Sequence, residues 1–233
     1  MELQDAKVLI TGGTTGIGFE TARLLTSKGA QVVFCGQNAE RVAKAAAELG
    51  ITGFTCDISD AADVERLFEK TVATLGGLDV LINNAGVGYF AALADTDPAD
   101  FERIWRTNVL GLFLAGQKAA AHFTAQQSGN IINIGSTAAR AGFAKGSAYV
   151  ASKFAVSGLT ECWRAELRPH NVRVMQVNPS EVLTQFGPKV GFDQQDNGKK
   201  LHATEIAHLI ASMLSMPDVG FIPEAAVWAT NPW

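Results

Sequence analysis

Short runs of branched and apolar residues alternate along the chain with longer stretches of helical spacing. Lys7–Thr11 (KVLIT) is an unbroken apolar run, the pattern of a strand buried on both faces. Helical spacing follows over Gly16–Lys28 and stops before Gly29. The unit then repeats. Gln31–Cys35 reads as a strand, followed by a helix capped by Asn38 that runs to Leu49 and stops at Gly50. Gly53–Cys56 is a third strand, and Ser59 or Asp60 caps a helix to about Leu75. Leu78–Asn83 is a fourth strand. Asp97-Pro98 opens a long helix, since proline suits the first helical position, and this helix extends to about Gln126 with breaks expected at Gly111 and Gly116. A strand at Asn130–Gly135, a helix at Ser147–Leu167, a strand at Val172–Asn178, a helix at Thr204–Leu214 and a strand at Ala225–Thr230 complete the series.

Strand–helix alternation of this kind implies crossover connections, hence an α/β fold with a parallel sheet of seven strands and helices on both faces. The expected organisation is one domain over residues 1–233. Gln185–Lys200 departs from the regular pattern, with glycines, a proline and mixed polar residues, and reads either as a functional loop or as a disordered insertion.

Composition narrows the class. The chain has 233 residues, 47% of them hydrophobic and 18% charged, and mean hydropathy is +0.12, which excludes a chain too polar to build a core. Its formal net charge of −4 argues against a general nucleic-acid partner. Apolar runs fall short of the roughly 18 residues of a membrane helix. The first ten residues lack the basic start of a secretory signal. Three widely spaced cysteines, Cys35, Cys56 and Cys162, suit neither a disulfide framework nor a zinc site. A cytoplasmic protein is therefore expected. His122, His170, His202 and His208 show no ligand-pair spacing, and no carboxylate cluster suggests a metal.

The candidate chemistry begins at Thr11–Gly18 (TGGTTGIG), between the first strand and the first helix. Glycines there permit a tight turn and close approach of a phosphate. The helix N-terminus adds unpaired N–H groups and the positive end of its dipole. Gly12, Gly16 and Gly18 give TGxxxGxG, which resembles the short-chain dehydrogenase/reductase family. Asn83-Asn84-Ala85-Gly86 matches its NNAG motif, Ser136 follows the fifth strand, Tyr149 and Lys153 form YxxxK, and Asn178-Pro179 with Thr184 matches its PGxxxT stretch except that Ser180 replaces the glycine. The likeness spans nearly the whole chain and implies a doubly wound Rossmann fold.

Read as chemistry, Tyr149 and Lys153 are four apart on one helical face, and an ammonium near a phenol lowers its pKa toward neutrality. Ser136, at the carboxyl edge of a buried strand, can donate to a carbonyl oxygen or serve only as a turn serine. Asn108 lies in apolar sequence and is either a satisfied core amide or, as the resemblance implies, the holder of water in a relay to Lys153. By resemblance the catalytic set is Ser136, Tyr149, Lys153 and Asn108. The cofactor contacts are then Gly12, Thr14, Thr15, Gly16, Ile17, Gly18, Gln37, Asn38, Asp57, Ile58, Asn84, Ala85, Gly86, Tyr149, Lys153, Pro179, Val182 and Thr184. Asp57 either reads adenine or caps the next helix.

Beyond the second strand the chain reads Gly36-Gln37-Asn38, without the acidic residue that repels a 2′-phosphate. Gln37, Asn38 and Thr14 offer donors and Arg41 a charge, so NADP(H) is favoured over NAD(H), unless Gln37 and Asn38 form only a turn and cap. The implied activity is hydride transfer between NAD(P)H and a ketone, aldehyde or secondary alcohol. Val87, Tyr89, Phe90, Phe143, Phe186 and Phe192 form an apolar pocket or ordinary packing, with a substrate loop at about 185–203. Arg140 either meets an anionic substrate or is a solvated loop charge. A 3-oxoacyl-[acyl-carrier-protein] reductase and a non-catalytic NADP-binding regulator are the rivals. The acidic balance disfavours the first, and the retained Tyr149, Lys153, Ser136 and Asn108 disfavour the second. The resemblance also implies a homodimer or homotetramer, for which Ala119–Phe123, Trp228 and Trp233 are either contacts or ordinary core.

Overall fold

The structure is a computed structural model and describes residues 1–189, 196 and 198–231. β1 (Lys7–Thr11), β2 (Gln31–Gly36), β3 (Thr52–Thr55), β4 (Val80–Asn83), β5 (Gly129–Ile134), β6 (Val172–Pro179) and β9 (Glu224–Val227) form one sheet in the order β3-β2-β1-β4-β5-β6-β9. Every neighbouring pair is parallel. The order reverses between β1 and β4, which opens a crevice at the carboxyl ends of those strands.

Both faces of the sheet are covered, and alternate residues of one strand belong to different cores. Val8 and Ile10 of β1 pack toward α1 (Gly16–Ser27), α2 (Ala39–Leu49) and α8 (Ala203–Ser215), whereas Leu9 faces α3 (Ala61–Leu75), α5 (Leu112–Gln126) and α6 (Ser147–Leu167). Burial on both sides explains why these strands read as continuous apolar runs rather than alternating ones. The helix boundaries follow local capping. Asn38 caps α2 by accepting from the Arg41 N–H at 2.9 Å, and Asp60 caps α3 by accepting from the Asp63 N–H at 2.8 Å. Gly50 and Gly76 close the same helices in the left-handed conformation.

Three sequence expectations change. The helix from Pro98 is not broken at its glycines. α4 (Pro98–Trp105) continues through a π-helical turn (Arg106–Gly111) directly into α5. A Cβ at Gly116 would lie 2.3 Å from the Trp163 ring, and one at Gly111 would lie 2.7 Å from Ile58, so these glycines allow close packing instead of ending the helix. The 185–203 segment is more ordered at its ends than its composition suggests. α7 (Phe186–Lys189) follows Thr184, and β7 (Val182–Leu183) pairs in parallel with β8 (Leu201–His202). An ion pair between Lys200 and Glu181 at 2.8 Å stands beside that junction. Ala119 and Phe123 are fully buried beneath the sheet, so they are core rather than contact surface.

Candidate active site

The glycine turn is built by close approach. Gly12 and Gly16 adopt positive φ (69° and 60°), and a Cβ at Gly12 would lie 2.8 Å from the Ala85 backbone. A Cβ at Gly18 would lie 2.4 Å from Asn84 Nδ2. Asn84 Nδ2 donates to the carbonyls of Thr11 (3.0 Å) and Gly12 (2.8 Å), and Thr11 Oγ1 accepts from the N–H groups of Asn84 and Ala85. The NNAG turn is thereby tied onto the glycine turn. Thr15 precedes α1 in extended conformation, and its side chain makes no capping hydrogen bond. That leaves the first-turn N–H groups available to an anion, in contrast with the capped starts of α2 and α3. Ile17, with Thr21 donating to its carbonyl, belongs to the same first turn.

Beyond β2 and β3 lies a second group of the residues expected at the cofactor. A Cβ at Gly36 would lie 2.6 Å from the Thr14 methyl, which accounts for glycine there. Gln37 Nε2 donates to Asp57 at 3.0 Å. Asp57 does not cap α3, since Asp60 does; its Oδ1 instead accepts from the N–H and hydroxyl of Ser59. Partial burial works to raise the Asp57 pKa, but the bonds from Ser59 and Gln37 and the nearby Arg106 guanidinium outweigh it and hold the carboxyl below its ordinary value. A cleft of about 300 Å³ opens beside Gln37, Asp57, Ser59, Val87 and Arg106. Ile58 is buried against Gly111. Arg41 is exposed beside Asn38.

Ser136, Tyr149 and Lys153 come together where β5 meets α6. Ser136, in extended backbone after β5, caps a short 3-10 turn (Thr137–Ala139) by accepting from the Ala138 N–H at 3.1 Å. Its hydroxyl also faces Tyr149 closely enough to pull the phenol pKa down. Lys153 is buried, donates to the Ile134 carbonyl at 2.8 Å, and lies 5.7 Å from the centroid of the Tyr149 ring. Burial without a counter-ion lowers the Lys153 pKa to about 8. The Tyr149 pKa moves opposite to the sequence expectation. Burial pushes it above its ordinary value, against the pull of the Ser136 hydroxyl. The ammonium is directed at a backbone carbonyl instead of the phenol oxygen, and desolvation of the phenolate prevails.

Asn108 lies in the π-helical turn, and all its polar atoms are engaged. Its Oδ1 accepts from the Val87 N–H at 2.8 Å, and its Nδ2 donates to the Val87 carbonyl (2.9 Å) and to Ser152 Oγ (3.0 Å). A Cβ at Gly86 would lie 3.4 Å from Asn108 Oδ1 and 3.9 Å from Lys153 Nζ, so Gly86 sits between them. Three phenylalanines gather at the phenol. Phe90 and Phe186 lie 5.5 and 5.6 Å from the Tyr149 ring, and Phe143 lies 5.7 Å from Phe90. Tyr89 is turned away, its hydroxyl 3.5 Å from the Asp97 N–H. Phe192 and Trp233 lie outside the described residues. Pro179 ends β6, Val182 is buried in β7, and the Thr184 side chain lies 3.3 Å from where a Gly16 Cβ would stand, which brings this segment onto the glycine turn.

Other positions singled out in the sequence have local partners. Arg140 is a largely exposed loop charge that pairs with Glu224 at 2.7 Å. His202 joins a capping box at α8 with Glu205, and His170 hydrogen-bonds Gln127 at 3.0 Å. Among the described residues, no group of three His, Cys, Asp or Glu could hold a metal, and no helix is long and apolar enough to cross a membrane. Gln176 is a site-side residue that the motifs do not mark; it lies two positions before Asn178 in β6, and both polar side chains are buried against polar partners.

A doubly wound sheet with an uncapped glycine turn at its switch point, and a phenol, an amine and a hydroxyl beside it, defines a nucleotide-dependent oxidoreductase. The short chain dehydrogenase sequence profile matches residues 6–195, and the chain belongs to that family, whose dehydrogenases and reductases act on alcohol and carbonyl groups. It is 36% identical over 191 residues to the D-threitol dehydrogenase of Mycolicibacterium smegmatis, covering 79% of this chain and 74% of that one. A 3-ketoacyl-(acyl-carrier-protein) reductase from Brucella melitensis complexed with NADH superposes with TM-score 0.88 at 27% identity, over 97% of each chain. A metagenomic short-chain oxidoreductase in complex with NADP superposes with TM-score 0.85 at 30% identity, over 99% of this chain and 100% of that one.

Proposed function

We propose that this chain is an NADPH-dependent carbonyl reductase of apolar ketones or aldehydes, with Tyr149 as the general acid. The observation that carries the reading is the buried Tyr149 with the Lys153 amine 5.7 Å from its ring, a phenol that burial keeps protonated. A protonated phenol is the state that reduction requires of its acid. When bound, the nicotinamide cofactor supplies the hydride. Ser136 orients the carbonyl oxygen and Tyr149 donates the proton to it. Lys153 holds the nicotinamide ribose, and Asn108 fixes the Val87 segment beside it. The uncapped α1 start fits the dinucleotide, with Gly12, Thr14, Thr15, Gly16, Ile17 and Gly18 at the pyrophosphate. Gln37 and Asn38, with Arg41, face the ribose; Asp57, Ile58, Asn84, Ala85 and Gly86 line the adenosine half; Pro179, Val182 and Thr184 border the nicotinamide. The absence of a carboxylate at Gly36 supports the phosphorylated form.

The ring cluster of Phe90, Phe143 and Phe186 around Tyr149 supports an apolar substrate, covered by the loop at about 185–203. One catalytic and cofactor-binding domain, in a cytoplasmic homodimer or homotetramer, completes the reading. Trp105, Leu110, Phe113 and Phe154, each more than a third exposed on α4, the π-helical turn, α5 and α6, supply an apolar face for self-association, as does Trp228. Oxidation of NADPH and of NADH is to be followed with a panel of ketones, aldehydes and acyl thioesters, alongside light scattering for mass. Turnover of apolar ketones with NADPH supports the reading; activity confined to acyl thioesters, or to NADH, contradicts it.

A further inference from the structure

The Ser136 turn is anchored at both ends on one carboxylate from the last strand. Before the turn, the Ser136 N–H donates to Asn178 Oδ1 at 3.1 Å, and Asn178 Nδ2 donates to Glu224 Oε1. After it, Arg140 reaches the same oxygen through Nε at 3.2 Å and through its terminal nitrogen at 2.7 Å. Asn178 passes so close over the chain that a Cβ at Gly135 would lie 2.1 Å from its Oδ1. Gln176 Nε2 donates both to Asn178 Oδ1 and to Ser157 Oγ, each at 2.7 Å, and Ser157 lies one turn beyond Lys153 on α6. Gln176 pairs in register with Glu224, so the chain of bonds crosses from α6 through β6 to β9 without leaving that face of the sheet. Asn178 is fully buried, and a connected polar network in such surroundings holds a single geometry.

We propose that Glu224 is a positioning residue: through Asn178 and Arg140 it fixes the turn that presents Ser136 to Tyr149. The effect on turnover rests on the catalytic reading above, whereas the effect on the turn itself does not. A serine hydroxyl displaced by about 1 Å loses its aim at a carbonyl oxygen, and such misplacement lowers rates by about tenfold to a hundredfold. Glu224 stands on the edge strand β9, with β4, β5 and β6 between it and the strand that carries the glycine turn, so the phosphate cradle is left intact.

The test compares Glu224→Ala, Glu224→Gln and Arg140→Ala with the wild type. It reads kcat and KM on a reducible ketone, dinucleotide Kd by fluorescence, and hydrogen exchange at the Ser136 amide. We expect Glu224→Ala to lower kcat by at least about tenfold, to speed Ser136 exchange by about tenfold, and to leave dinucleotide Kd within about twofold. Glu224→Gln keeps an oxygen facing Asn178 and retains most of both properties. Values of kcat and Ser136 exchange within about twofold of wild type in Glu224→Ala overturn the proposal, as does equal damage in both glutamate variants. Should Glu224→Ala fail to fold, Arg140→Ala carries the test, its side chain being largely exposed. Faster exchange of the Ala138–Arg140 amides with reduced kcat then supports the clamp, and unchanged values overturn it. A wild type without turnover refutes the catalytic reading instead, and Ser136 exchange still decides the clamp.

Discussion

Replacing Lys153 by methionine should stabilise the cofactor-free protein at neutral pH while abolishing its chemistry. Lys153 is 7% exposed, has the Ile134 carbonyl as its hydrogen-bond acceptor, and titrates near 8 instead of 10.5. That fall corresponds to about 3 kcal/mol of preference for the neutral amine in the folded state. Methionine fills the same stem volume and removes the buried charge, but forfeits a hydrogen bond of about 1 kcal/mol. A net gain of about 2 kcal/mol at pH 7 follows. The sign of the pH dependence is fixed by the lowered pKa. Between about 8 and 10.5 the unfolded chain binds more protons at this site than the folded chain, so wild-type stability rises with pH there. The variant lacks this gain, and its advantage should shrink by about 2 kcal/mol between pH 7 and pH 9.5. Urea unfolding of both proteins across that range measures the difference. A gap that stays constant with pH, or one that widens, would refute the reasoning.

Two further outcomes follow from the cofactor cradle. Gly18→Ala places a methyl 2.4 Å from Asn84 Nδ2 and 2.5 Å from the Gly12 carbonyl, which must break the tie between the two turns. A loss of about 2 kcal/mol in stability and of at least tenfold in dinucleotide affinity is expected by melting and by titration calorimetry, and wild-type values for both would contradict it. Arg41→Ala should lower the ratio of kcat/KM for NADPH over NADH by about fivefold, the worth of one exposed charge contact, and an unchanged ratio would remove Arg41 from phosphate recognition.

Much of this architecture is written into single positions. Val8, Leu9 and Ile10 announce a strand with two covered faces, and Asn38, Gly50 and Asp97-Pro98 fix helix ends through local hydrogen bonding. The TGxxxGxG turn is legible because only glycine tolerates the approach of Ala85 and Asn84. The unread parts depend on partners distant in sequence. Gly111 and Gly116 look like helix breakers until Ile58 and Trp163 are packed on them. The direction of the Tyr149 shift depends on where the Lys153 ammonium points, and four-residue spacing cannot tell a phenol oxygen from the Ile134 carbonyl. Glu224 lies 88 positions beyond Ser136, so only the β6–β9 register brings it to the serine turn.

The most direct test of the whole account is hydride transfer in Tyr149→Phe, which removes one hydroxyl and leaves the ring among Phe90 and Phe186. Stopped-flow oxidation of NADPH by a ketone that the wild type reduces should fall by a factor of about a thousand, the scale of a lost general acid, with dinucleotide Kd within about threefold. A Tyr149→Phe protein that still turns over within tenfold of wild type would contradict the assignment of the proton to this phenol.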